Sequence, residues 1–169
     1  MTKILYGTNM MTNKEINFEE VKEYLSKCGP ETKIYIGADS ERINIDNVWH
    51  VDVLACLIVH IDSKHGGKMF GQIRRERDYD KALNKPRMRM MMEAYAAADL
   101  YLRFVELIDQ YEIEIHLDIA SSPVYGSNCA HSEAVGYIKG VCGLDAVTKP
   151  HSWAATNCAD ATKRLTANH

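Results

Sequence analysis

The sequence predicts an α/β domain built on a mixed five-stranded sheet, an antiparallel meander followed by parallel strands, with helices packed on it. Three observations carry this. Apolar, strand-like runs over 33–39, 48–61 and 68–77 follow one another with turn-forming residues between them, the pattern of a meander. Beyond residue 86, helix-like and strand-like segments alternate, the pattern of βαβ connections. Two runs, 33–39 and 113–119, share a period of two and carry a carboxylate on the face away from their isoleucines.

Residues 1–17 lack periodicity and read as an arm or an irregular start. Residues 18–28 read as an amphipathic helix with Asn17 as N-cap and Phe18, Val21, Tyr24 and Leu25 on its apolar face, stopped by Gly29-Pro30. The first strand puts Ile34, Ile36 and Ala38 on one face and Tyr35, Gly37 and Asp39 on the other; the polar residues after it, up to the Asp46-Asn47 turn, put Asp39 at the strand's end. The run 48–61, rich in Val, Leu and Ile, is a long central strand, and Lys64-His65-Gly66-Gly67 is a hairpin turn into the return strand 68–77.

Pro86 then opens a long helix to about Tyr111. Its inward stripe is Met90, Ala94, Ala97, Leu100, Tyr101, Phe104, Val105 and Ile108, and Glu93 falls within that stripe. In the next strand Ile113, Ile115, Leu117 and Ile119 oppose Glu114, His116 and Asp118. A loop through Ser121-Ser122-Pro123 and Gly126-Ser127-Asn128 leads to a helix over 132–141 that ends at Gly143. A short strand over 144–148 is broken by Lys149-Pro150, and Ser152 caps a last helix to about Leu165, which contains Asp160. No repeat or linker divides the chain, so 1–169 reads as one domain.

Composition narrows the function classes. The 169 residues are 46% hydrophobic and 25% charged, as in an ordinary globular protein, and no apolar run is long enough for a bilayer. The N-terminus has no secretory build, and five scattered cysteines, an odd number, predict reduced thiols in a cytoplasmic setting. A net charge of −3 and a pI near 6.2 give no global attraction to nucleic acid, so binding of that kind needs a local patch.

The carboxylates are the residues to place. Pairing the first and fourth strands side by side puts Asp39 next to Asp118; the long helix crossing them can bring Glu93 above, and the last helix can bring Asp160 to the rim. At this point the sequence resembles the ribonuclease H-like superfamily, and within it the YkuK-like branch of predicted nucleases. The likeness spans about 18–165. It rests on Ile36-Gly37-Ala38-Asp39-Ser40, on Glu93, on His116-Leu117-Asp118-Ile119, and on two more specific stretches: Glu133 to Gly140, and Lys149-Pro150-His151-Ser152-Trp153-Ala154-Ala155 leading to Asp160. The resemblance implies a ribonuclease H-like fold and a two-metal nuclease site with Asp39, Glu93, Asp118 and Asp160 as catalytic ligands for two Mg²⁺ or Mn²⁺ ions. Three positions depart from the branch's pattern: Ala38 stands for Thr, Glu41 for Gln and Ala161 for Arg.

The chemistry agrees with that implication. Hard divalent ions take oxygen donors, and two of them supply an activated water and charge neutralisation for phosphodiester hydrolysis. Carboxylates clustered without a cation repel and raise one another's pKa values. From Arg74 to Arg89, basic residues outnumber acidic ones, giving a candidate nucleic-acid track through Arg74, Arg75 and Arg77, with Lys149, Lys163 and Arg164 as a second set. His131 and His151 precede helices near the site and are candidate proton shuttles. Trp49, Trp153 and Tyr125 are solitary aromatics whose ordinary place is core or rim, with base stacking as the other reading. Two classes follow: a metal-dependent nuclease acting on RNA, RNA–DNA hybrid or DNA, and a catalytically silent module that binds nucleic acid or protein.

Overall fold

Asp46 and Asn47 both take positive φ, 50° and 62°, the two-residue turn that matches strand twist and folds two long strands onto each other. The computed structural model describes residues 3–8, 12–14, 18–62 and 67–166, with side chains over 18–62 and 67–160. In chain order its elements are β1 (Lys3–Thr8), β2 (Thr12–Lys14), α1 (Phe18–Ser26), β3 (Lys33–Ile45), β4 (Val48–His60), β5 (Gly67–Arg77), α2 (Arg87–Ile108), β6 (Glu112–Ala120), α3 (His131–Cys142), β7 (Val147–Lys149) and α4 (Trp153–Thr166), with a 3-10 turn over Gly126–Ala130.

The strand order is β2-β1-β5-β4-β3-β6-β7. The meander β3-β4-β5 is antiparallel, and β6 and β7 join it in parallel. The five strands read from the sequence are therefore the run β5 to β7. The expectation of an arm or irregular start over 1–17 is corrected: β1 and β2 extend the sheet at the β5 edge. The proposed Asn17 cap and the Lys64-His65-Gly66 turn lie outside the described residues.

Alternation divides the helices between the two faces. Ile34, Ile36 and Ala38 of β3, with Ala55, Leu57 and Val59 of β4, pack in one core with residues of α1, α2 and α3. Leu54, Cys56 and Ile58 form a smaller core with Ala154 and Cys158 of α4 on the other face. Gly37 makes that second packing close: a Cβ there would fall 2.4 Å from the Ala154 carbonyl oxygen. Among the described residues, no helix is long and apolar enough to cross a membrane.

Candidate active site

The site forms where the sheet splits. β3 does not end at Asp39, as the polar residues after it suggested, but continues to Ile45 beside β4. Its parallel pairing with β6 stops at Ala38↔Leu117, so Asp39 and Asp118 are the next residues of two strands that part company there. A polar stretch can remain a strand because β4 satisfies one edge of its backbone while the other is released toward solvent. Asp39 and Asp118 share the α4 face with Gly37 and His116, and Glu93 approaches from the α2 side.

Glu93 is fully buried. The Ser40 hydroxyl donates to its Oε1 at 2.5 Å, and its Oε2, also buried, has no hydrogen-bond partner. Burial raises its pKa well above the usual carboxylate range, and the charges of Asp39 and Asp118 add to this, against Ser40 and Arg89. For Asp39, burial first and then the Asp118 charge push the value up to about 6, opposed by the Ser40 backbone N–H, Arg89 and Lys149. Asp39, Glu93 and Asp118 thus act on one another electrostatically. Among the described residues, no three acid, histidine or cysteine side chains converge closely enough to ligate one ion in this conformation.

Two cations enter the cluster. Arg89, on the first turn of α2, donates from Nη1 to the Ser40 carbonyl at 3.0 Å and the Ser40 hydroxyl at 3.3 Å. Lys149 Nζ stands 3.0 Å from Asp118 Oδ1, carried there by the β6–β7 pairing of Ala120 with Lys149. Sequence reasoning counted Arg89 within a basic run and gave Ser40 no role. Their signal was position: Ser40 follows Asp39, and Arg89 stands one helical turn before Glu93.

Asp160 lies on α4, exposed, and among the described interactions none joins it to the other three acids. His131 opens α3, its Nε2 3.3 Å from Thr148 Oγ1, and His151 is exposed after the cis Lys149-Pro150 bond. Lys163 and Arg164 lie beyond the last described side chain. The three arginines of β5 divide between its faces and do not line up as one track: Arg74 pairs with Glu76 on the α2 side, while Arg75 makes a bidentate pair with buried Asp52, 2.7 Å for each bond. Arg77 lies 5.9 Å from the Tyr79 ring.

His116 is a buried group that the sequence reading left without a role. The Ala154 N–H donates to its Nδ1 at 3.2 Å, so the proton sits on Nε2 and is directed at Glu114 Oε2, 2.9 Å away. It anchors the start of α4 over β6, with Trp153 and Tyr35 packed edge-on around it.

No curated protein and no solved structure matches the chain significantly. A family model described as Ribonuclease H-like matches residues 17–164, from the start of α1 into α4, and so takes in β3, α2, β6 and every acid of the cluster. By that match, over most of its length, the chain belongs to the ribonuclease H-like family.

Proposed function

We propose that the chain is a divalent-metal-dependent nuclease hydrolysing phosphodiester bonds in RNA, RNA–DNA hybrid or DNA. The observation that carries this is Glu93, a fully buried carboxylate with one oxygen lacking a partner, in the field of two further acids. A polar atom buried without a partner costs stability, and a second and third negative charge nearby add to the cost. A cation offsets both. The donors are hard oxygens, which fits Mg²⁺ or Mn²⁺, with Asp39, Glu93 and Asp118 as the ligands and Asp160 as the fourth acid from α4. When bound, two such ions supply a water of lowered pKa and neutralise charge at the leaving oxygen.

The chain's own residues do the rest. Ser40 and Arg89 hold Glu93 and the β3 backbone in register. Lys149, half-exposed, offsets the charge of Asp118 and is free to turn toward a substrate phosphate. His131 and His151 flank β7 and serve as proton carriers to a leaving oxygen. Lys149 is the cation at the acids themselves, and Lys163 and Arg164 are further candidate phosphate contacts by their position in the sequence.

One observation favours the second reading, a silent binding module: Lys149 already gives Asp118 an internal counter-charge. Cleavage of single-stranded, duplex and hybrid substrates with Mg²⁺ or Mn²⁺ separates the two. Asp39→Asn, Glu93→Gln and Asp118→Asn should each abolish cleavage without changing the circular dichroism spectrum. Activity within about tenfold of wild type, roughly 1.4 kcal/mol of barrier, would remove that residue from the ligand set. Thermal melts give a second readout. Magnesium at about a hundred times its dissociation constant should stabilise the wild type by about 2.7 kcal/mol and Asp118→Asn by much less. Equal metal-induced shifts would argue for the silent module.

A further inference from the structure

We propose that the substrate is single-stranded nucleic acid, its unpaired bases stacking on Tyr79 and Tyr125 at the lip of the carboxylate site; this rests on the nuclease reading above. The lip is made by two loops. One, 78–86, joins β5 to α2 and leads into the helix of Arg89 and Glu93; the other, 121–126, leaves β6 just after Asp118. They touch: a Cβ on Gly126 would fall 2.2 Å from the Asn84 carbonyl oxygen, so glycine is required for the contact.

Both loops are pinned to the frame. The Asp80 carboxylate accepts from the Met88 and Arg89 N–H groups at 2.8 and 2.9 Å, and Asp78 pairs with Arg42 of β3. Asn128 donates to the Ala120 and Ser121 carbonyls at 3.1 and 2.9 Å, and Ser127 accepts from the Ala120 N–H at 3.0 Å. On this fixed support four large apolar side chains are turned outward: Tyr79 is 63% exposed, Leu83 74%, Val124 85% and Tyr125 64%. Single exposed apolar residues are ordinary on a protein surface, but here four stand on two loops that meet at Gly126 and Asn84.

Charge selects the occupant. Lys81 and Lys85 are exposed on the first loop, and Arg77 lies by the Tyr79 ring at its start. An apolar protein segment would leave these cations without a complement, whereas an anionic polymer with flat apolar groups satisfies both features. A paired duplex hides its base faces in its own stack, so ring-on-base contact is open only to unpaired bases. Pinned loops hold the rings ready at little further entropic cost.

The test is binding in chelator, where nothing is cut. Fluorescence anisotropy compares labelled single strands of RNA and DNA with the blunt duplex of the same sequence, for wild type, Tyr79→Ala/Tyr125→Ala and Tyr79→Phe/Tyr125→Phe. Wild type should prefer the single strand. The alanine pair should lose about tenfold or more of single-strand affinity with duplex affinity unchanged, and the phenylalanine pair should keep it, because stacking needs the ring and not the hydroxyl. Cys129, exposed beside Lys85 and Arg87, gives the location: a bound single strand should slow its reaction with a maleimide. Equal affinity for single strand and duplex, no binding of either, or an alanine pair that binds as wild type would overturn the proposal. Single-strand binding through the tyrosines without metal-dependent cleavage would instead sink the nuclease reading, making the bound strand a ligand and not a substrate.

Discussion

Burial and the Asp118 charge hold Asp39 at about 6, and the consequence for folding has a definite sign. In the unfolded chain the group titrates near its ordinary 3.8. Between about pH 4 and 6 the folded protein keeps a proton that the unfolded chain has lost, so stability falls as pH rises through that window, and the loss is complete above it. The shift corresponds to about 3 kcal/mol. In chelator, urea denaturation should show the wild type losing about that much between pH 4 and 7 relative to Asp39→Asn. Parallel profiles for the two proteins would mean that Asp39 is not held in the repulsive site described. Glu93 was visible in the sequence only as an anomaly, a carboxylate in an apolar stripe. A helical period shows which face a residue is on, but not whether that face meets a leucine or another acid.

At the scale of elements, α2 decides where Glu93 and Arg89 sit, and Asp80 decides where α2 begins. Pro86 makes no side-chain cap; the two free N–H groups of Met88 and Arg89 are met by Asp80 from the preceding loop. Asp80→Ala should therefore cost about 1 kcal/mol in urea denaturation and lower cleavage as well, since the loosened turn carries Arg89. Unchanged stability would show that solvent satisfies those groups equally well. The helix itself was legible from its period, 86–111 against an observed Arg87–Ile108. The length of β3 was not. Its outer half is polar and partly exposed because β6 has already left it, and only the β4 pairing shows it to be strand. Gly37 likewise carries no local mark of the α4 backbone that lies against it.

Across the whole molecule, net charge and a basic stretch proved poor guides to a binding surface. Strand alternation sends Arg74 and Arg75 to opposite faces, where each already has a carboxylate, and leaves Arg77 as the member of the trio without a described ion pair. Replacing all three by Gln should therefore lower the salt slope of nucleic-acid binding by about one phosphate contact, not three, a slope change of roughly 0.7 for a single strand. It should also destabilise the fold, because Asp52, 1% exposed, loses its partner. A drop worth three contacts would restore the continuous track. By itself the sequence determined the meander, the alternation of helix and strand after it and a carboxylate on the outer face of each of the runs 33–39 and 113–119, since these follow from local period and from short connections. The pairing that sets Asp39 beside Asp118, 79 positions apart, came from the fold. Only the tertiary structure decided that Glu93, Arg89 and Lys149 enter the same small volume and that two loops meet beside it. Those contacts join residues far apart in the chain, 53 positions for Ser40 and Glu93, and depend on how helices cross the sheet, which no local pattern records.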